Sequence, residues 1–389
     1  ELLFGKPPKI TKNVVSGCPQ KSAFNTQTIE LTDAVIRVLS LPSVADKSFL
    51  ITIGDRTITG LVCRDQMVGP WQVPVADAAV TASSFVGYSG EAMAMGERPL
   101  LSLVDSPASG RMAIAEAITN ITCAEINKLS DIKLSANWMV ASGFGTEDAK
   151  LYKTVQAVGM ELCPRLGICI PVGKDSMSMR TVWEVDGKEH SNTAPLSLII
   201  SAFAPVTDIR KTLTPELKTS IRDTSLLLID LGKGKNRIAG SALSQVYRQI
   251  GDKTPDVDNP EDLINYFEFI KTCRNRGLLL AYHDRSDGGL FATIAEMCFA
   301  SHCGADFQFE KITTRESLIR FLFNEELGAV IQVRDQDFEQ VQIYADEYNL
   351  SDCLHRVGTL NDLNNIVIRL GENVCFSESR VSLQKIWSE

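Results

Sequence analysis

The sequence has no C-x-x-C pair, although ten cysteines are present. Only four histidines occur, at 190, 283, 302 and 355, and they are scattered. A zinc centre needs Cys and His clustered at short spacings, so none is expected. Several cysteines lie inside apolar runs such as "GICIPV" and "AEMCFAS". They read as reduced, core-filling thiols, and the expected compartment is the cytoplasm. No uncharged apolar run reaches the length of a membrane span. No block of basic residues occurs, and the net charge is −9 with a pI near 5.2. Both features argue against a nucleic-acid partner.

Common catalytic signatures are also missing. No G-x-S-x-G elbow and no G-x-C-x-G elbow is found, which excludes a serine hydrolase of that type and a glutaminase. "PVGKDS" (171–176) approaches a phosphate loop, but Ile168 and Asp175 stand where glycine and a hydroxyl residue are needed. "DLGKGKNRIAG" (230–240) loses the dinucleotide pattern at Arg237. The chain begins with Glu1, not Met, and without a signal-peptide pattern, so either its start is trimmed or it is a piece of a longer chain.

What is present is an ordinary globular composition, 44% hydrophobic and 22% charged over 389 residues. That is enough chain for two or three domains. Residues 1–30 read as a linker or arm. The polar, basic stretch "TDIRKTLTPELKTSIRDT" (207–224) marks a boundary, giving domains of 31–207 and 208–389. In the first, the spacing predicts a helix from 31 with Thr32 as N-cap. Strands are expected at 48–55, 57–62 and 99–105, a helix over 109–126, and a buried strand within 162–173. "TVWEV" and residues 195–206 are expected to pair. In the second, strands at 225–234, 277–282, 327–333, 355–360 and 365–370 are interleaved with helices. This alternation indicates two α/β or α+β domains.

Four features carry candidate chemistry. "HDRSDGGL" (283–290) lies between an apolar strand and a helical run. Gly288 and Gly289 at a helix start would let N–H groups face an anion. The aspartates there make sense if a divalent cation sits between them and a phosphate. The plainer account is an N-cap, Ser286 or Asp287, followed by a helix. Glu116 and Asn120 share one face of a helix that is otherwise apolar. A carboxylate buried there is costly unless paired or metal-bound; facing solvent, it is unremarked. Asp77 sits in the small, apolar run "VPVADAAV" under the same argument, with a helix cap as the alternative. Lys47 precedes an expected strand, where an ammonium could meet a phosphate.

Longer segments add a resemblance. "GDRTITGLVCRDQMVGPWQVPVADAAV" (54–80), "KLSANWMVASG" (133–143), "IPVGKDSMSM" (170–179), "AYHDRSDGGLFATIAEM" (281–297) and "LFNEELGAVIQV" (322–333) closely resemble phosphoribosylformylglycinamidine synthase, in its long single-chain form. The resemblance spans essentially the whole chain and implies the second half of that enzyme's synthetase region. It implies an aminoimidazole ribonucleotide synthetase-like fold, with an N-terminal barrel-interface domain and a C-terminal α/β domain. The intact enzyme's activity is an ATP- and glutamine-dependent amidation of formylglycinamide ribonucleotide. The partners implied are the first synthetase half and the glutaminase. This half would hold an auxiliary ADP with Mg²⁺, through Lys47 and Ser286 on the nucleotide and Asp77, Glu116, Asn120 and Asp284 on the metal. Gly288 and Gly289 are added on physical grounds alone. The isolated chain is expected to be inactive, and to homodimerise through the strands at 48–62 and 99–105. An inert nucleotide-binding scaffold, or another synthetase of the same superfamily, is the alternative.

Overall fold

A computed structural model describes residues 17, 21–58, 60–309 and 312–389. The expected arm therefore lies mostly outside the described residues; its last ten positions are described. Among the described residues no helix is long and apolar enough to cross a membrane. The first half contains helices α1 (Leu31–Leu39), α2 (Ser48–Thr52), α3 (Ser106–Ile121), α4 (Glu147–Gln156) and α5 (Cys163–Leu166). Its strands are β1 (Val62–Arg64), β2 (Ala79–Ala82), β3 (Gly90–Glu97), β4 (Lys133–Met139), β5 (Cys169–Ser176), β6 (Arg180–Val185), β7 (Lys188–Thr193) and β8 (Ser197–Val206). Six of them form one sheet in the order β1-β2-β3-β8-β4-β5, and β6 pairs with β7 as a separate hairpin.

The period-two pattern of β3 explains this sheet's asymmetry. Gly90, Ala92, Ala94 and Gly96 are buried under α3, while Glu91, Met93, Met95 and Glu97 face outward. Helix α3 lies across β3 and β8 at very close range. A Cβ on Gly96 would stand 2.2 Å from the Ala113 carbonyl oxygen, so only glycine fits there. The outer face of the sheet stays open, with Met95 57% and Phe203 43% exposed.

Several strand expectations fail here. Residues 48–52 form a short helix with no buried residue, and 99–103 form a 3₁₀ turn opened by Pro99. Apolar runs this short do not distinguish helix from strand. The open face is accordingly built from β2, β3, β4 and β8, not from 48–62 and 99–105. β5 is an exposed edge, not a buried strand. "TVWEV" pairs with residues 188–193 across the tight turn at Asp186–Gly187, and β8 pairs with β3 and β4 instead.

The second half contains α6 (Ala242–Val246), α7 (Pro260–Asn275), α8 (Gly289–Ser301), α9 (Arg315–Phe323), α10 (Phe338–Glu347) and α11 (Arg380–Ser388). Its strands are β9 (Thr224–Asp230), β10 (Leu279–Asp284), β11 (Gly304–Gln308), β12 (Gly328–Arg334), β13 (Leu354–Asn361), β14 (Asn365–Leu370) and β15 (Asn373–Ser379), in the sheet order β10-β12-β9-β13-β11-β14-β15. β9 is buried throughout because helices cover both faces. Leu227 and Ile229 join the cluster holding Phe267 and Ile270 of α7. Leu226 and Leu228 join the one holding Phe291 of α8.

Helix α1 was assigned by sequence to the first domain. Its apolar stripe of Leu31, Val35, Val38 and Leu39 packs instead in the α8 cluster of the second sheet. Glu30, not Thr32, occupies its N-cap. The cluster beneath α3 runs without a break into that beneath α7, so the two sheets share one core. Polar groups cross the seam as well: the Tyr282 hydroxyl donates to the Thr119 carbonyl at 2.5 Å, and Arg111 pairs with Asp256 at 2.6 Å.

Gly96→Ala is expected to force α3 off β3 and cost about 1–3 kcal/mol, the usual range for overpacking a filled core. Chemical denaturation of wild type and variant measures it.

Candidate functional site

Asp77 reaches the seam because its neighbours belong to different cores. Val73 and Val75 pack in the α8 cluster and Ala78 in the α3 cluster. Asp284 arrives from the other side, as the last residue of β10. Its backbone N–H donates to Asp77 Oδ1 at 3.2 Å. Asp77 Oδ2 and Asp284 Oδ2 are both buried without a protein partner. Burial, and then the Asp77 charge, push the Asp284 carboxyl well above its usual range.

A cavity of about 180 Å³ opens beside this pair, lined by Lys47, Asp77, Asn120, Asp284, Ser286 and Asp287 among others. It brings together five of the residues singled out from sequence. The Asn120 Nδ2 donates to the Met95 carbonyl at 3.0 Å, which leaves its amide oxygen as the end available to a cation. The Lys47 ammonium folds back on the carbonyls of Ser43 and Ala45, at 2.8 and 2.7 Å.

Glu116, Gly288 and Gly289 stand apart from that lining. Glu116 accepts from the Glu97 N–H at 2.6 Å and pairs with Arg98 at 2.9 Å. Burial raises its pKa to about 7, against the pull of Arg98. The Gly288 N–H donates to Glu325 Oε1 at 2.8 Å and that of Gly289 to the Ser286 carbonyl at 3.0 Å. Both N–H groups are thus already committed to acceptors within the protein. Both glycines have positive φ, 84° and 68°, and a Cβ on Gly289 would lie 2.5 Å from the Asn324 carbonyl oxygen. They are required by the turn itself. Gly288 is the N-cap of α8, so neither Ser286 nor Asp287 fills that role. Asp287 pairs with Arg98 at 2.9 Å.

Three side chains that hold the site were not visible in the pattern. His283 is buried between Asp77 Oδ1, 2.7 Å from Nδ1, and Glu296 Oε2, 3.0 Å from Nε2. Burial opposes its imidazolium, yet the two carboxylates outweigh burial and raise its pKa well above the ordinary value. With both ring nitrogens engaged by carboxylates, His283 orients Asp77, and its ring lies with Asp77 and Asp284 in one cluster whose ligand atoms are all within 4.8 Å of one another. Arg98, 4% exposed, bridges Glu116 of the first half to Asp287 and Glu325 of the second. Arg285, in the middle of "HDRSDGGL", is buried on Asp230 at 2.6 Å and on the carbonyls of Glu326 and Leu327. A charged residue immediately beside the metal candidates was the only trace of Arg285 and His283 in the sequence. Arg98 gave none, since its partners lie far along the chain.

An open-faced sheet backed by helices, sharing a core with a seven-stranded sheet, is the two-domain architecture of aminoimidazole ribonucleotide (AIR) synthases. Residues 46–205 match the family model for the FGAR-AT PurM_N-like domain, and residues 225–371 that for the AIR synthase related protein C-terminal domain. The chain thus carries an FGAR-AT PurM_N-like domain followed by an AIR synthase related C-terminal domain, a pairing that supports a PurL-like synthetase. Solved structures agree in fold. PurL of Thermotoga maritima complexed with FGAR superposes with a TM-score of 0.62 at 9% identity, over 91% of this chain and 53% of that one. The same protein complexed with AMPPCP gives 0.61 at 9%, over 92% and 52%. A chain of the HypE–HypF complex gives 0.53 at 15%, over 78% of this chain and 92% of that one. This chain thus spans about half the length of the PurL chains.

Arg98→Met would leave Glu116 and Glu325 buried without their cation. The expected loss is about 3–5 kcal/mol of stability, as for other buried pairs broken on one side, read by urea unfolding.

Proposed function

We propose that this chain is the second synthetase half of a long single-chain phosphoribosylformylglycinamidine synthase, divided near residue 208, and that it holds ADP with Mg²⁺ at the Asp77–Asp284 seam. The observation that carries this reading is the pair of buried, partnerless carboxylate oxygens, Asp77 Oδ2 and Asp284 Oδ2, beside one cavity. Buried carboxylates without partners are costly, and a hard divalent cation takes one or two of them together with phosphate oxygens. The residues present therefore fit the metal. Asp77, Asp284 and the amide oxygen of Asn120 would hold it, with Glu116 one helical turn before Asn120. Lys47 and Ser286 would meet the phosphates. When bound, the ion would neutralise the carboxylates and the phosphate charge together.

In our reading the site is structural. The chain's own residues fix it by ion pairs that cross the seam, so that a bound nucleotide would keep the two halves docked. In the whole enzyme, ATP and glutamine would drive amidation of formylglycinamide ribonucleotide in the cytoplasm, with the chemistry at the other synthetase half and ammonia from a glutaminase. The open face of the first sheet would meet the corresponding face of that other half. A sheet face that leaves Met93, Met95 and Phe203 exposed together is ordinarily covered. In the isolated chain a second copy would cover it.

Denaturing the purified chain and assaying the supernatant should release ADP and magnesium. Asp284→Asn should retain at least about tenfold less nucleotide, the scale of loss when a metal's coordination is impaired. Failure to purify with ADP or to take it up with Mg²⁺ would reject the site. With ammonia, ATP and formylglycinamide ribonucleotide, the isolated chain should release no ADP coupled to product. Light scattering at micromolar concentration should give a dimer; a monomer would count against the interface.

A further inference from the structure

Two cysteines meet where helix α8 ends. The chain leaves the helix through His302 at φ 50°, and the N–H groups of His302 and Cys303 both donate to the Cys298 carbonyl, the latter at 3.4 Å. A left-handed residue at this position folds the next side chain back onto the last helical turn. Cys303 is thereby set against Cys298, and the two thiols form a hydrogen-bonded pair with Cys298 as donor. Neither lines the Asp77–Asp284 cavity.

The surroundings of the two sulfurs differ. Cys298 is fully buried in the core beneath α8. Cys303 is 8% exposed and lines a cavity of about 290 Å³ with Thr224, Asp335, Thr359 and Asn361. The contact from Cys298, and then the Arg380 charge, hold the Cys303 thiol below its ordinary pKa, while the same contact and burial hold Cys298 well above it. Arg380 is itself fixed, its Nε donating to Asn364 Oδ1 at 2.8 Å. Reaction with peroxide follows thiolate character and access, and a thiol alongside converts the first product into a disulfide. Cys303 has both properties, and Cys298 stands where the second thiol is needed.

We infer that Cys298 and Cys303 are a reversible, peroxide-driven disulfide pair, with Cys303 as the attacking sulfur and Cys298 as the resolving one. The Cys303 thiolate attacks one oxygen of hydrogen peroxide, the O–O bond breaks, and hydroxide leaves with the electron pair to take up the proton that Cys303 had released. Cys303 is then a sulfenic acid. The Cys298 sulfur attacks the Cys303 sulfur, the S–O bond breaks, and the Cys298 proton leaves with that oxygen as water. Two thiols and one peroxide thus give one disulfide and two waters.

The test treats the reduced full chain with hydrogen peroxide under native conditions, then alkylates it in denaturant and digests it with trypsin for mass spectrometry. No Lys or Arg separates the two cysteines, so they share one peptide. That peptide should lose two hydrogens and take up no alkylating agent, and dithiothreitol should restore both thiols. Cys298→Ala should stop at a sulfenic acid on Cys303, trapped by dimedone. Cys303→Ala should lower oxidation of Cys298 at least about tenfold, since a buried protonated thiol is a poor nucleophile. Circular dichroism checks that both variants fold; if either does not, the wild-type peptide alone decides. The inference is overturned if both cysteines still alkylate fully once the exposed Cys169 and Cys375 are oxidised. Bonding of either to another cysteine, or equal oxidation of Cys298 in Cys303→Ala, would overturn it as well.

Discussion

Buried carboxylate is the constraint around which the seam of this molecule is arranged. Asp77, Glu116, Asp284 and Glu325 are each under a tenth exposed, and they come from both halves of the chain. Removing such groups from water costs several kcal/mol apiece unless charge and hydrogen bonds are returned to them. The structure answers with two arginines and a histidine. Arg98 faces Glu116, Asp287 and Glu325; His283 faces Asp77 and Glu296; Arg285 faces Asp230. Two carboxylate oxygens, on Asp77 and Asp284, remain outside this compensation. They border one cavity, and their placement is what gives it a chemical character.

Apolar packing delivers the carboxylates to that position. The same period-two splitting that sends Leu226 and Leu228 to one core and Leu227 and Ile229 to the other also fixes neighbouring β10 through β12. Asp284 is therefore held at a strand end in a defined register, opposite Ala329. On the facing side, α3 is pinned against β3 by the absence of a side chain at Gly96, and Asn120 follows from the helical period. A loop residue, Asp77, bridges them because its flanks are anchored in different cores. Rigid elements thus place Asn120 and Asp284, while Asp77, Lys47 and Ser286 come from loops.

Long, strongly patterned elements were legible from sequence. The helix at 106–121 and the strands at 224–230 and 328–334 carry enough apolar residues for their period to be read. Short runs such as 48–52 and 99–103 do not: they read as strands, and the chain forms a short helix and a 3₁₀ turn there. The cost of burying charge points to Glu116 and Asp77, the doubly acidic turn points to Asp284, and Asn120 enters only as the neighbour of Glu116 on one helix face. Arg98 and Glu325 were not legible as partners, because they are 227 residues apart along the chain, although Glu325 lies within "LFNEELGAVIQV". The glycine pair shows the opposite error. Its residue type was rightly given weight, but the requirement is for positive φ and close packing on Asn324, and its N–H groups are used within the protein.

The Arg98 cluster ties the site to the docking of the two halves. Glu116 lies on the same helix as Asn120, while Asp287 and Glu325 hold the turn that follows Asp284; one guanidinium contacts all three acids. Glu325 additionally accepts from the Ala242 and Gly288 N–H groups, so the turn cannot shift without breaking backbone contacts. Any ligand that bound Asp77 and Asp284 together would favour the closed seam. By linkage, anything that favoured the closed seam would raise affinity for that ligand by the same factor. A nucleotide site placed there would be as much a clasp between domains as a binding pocket.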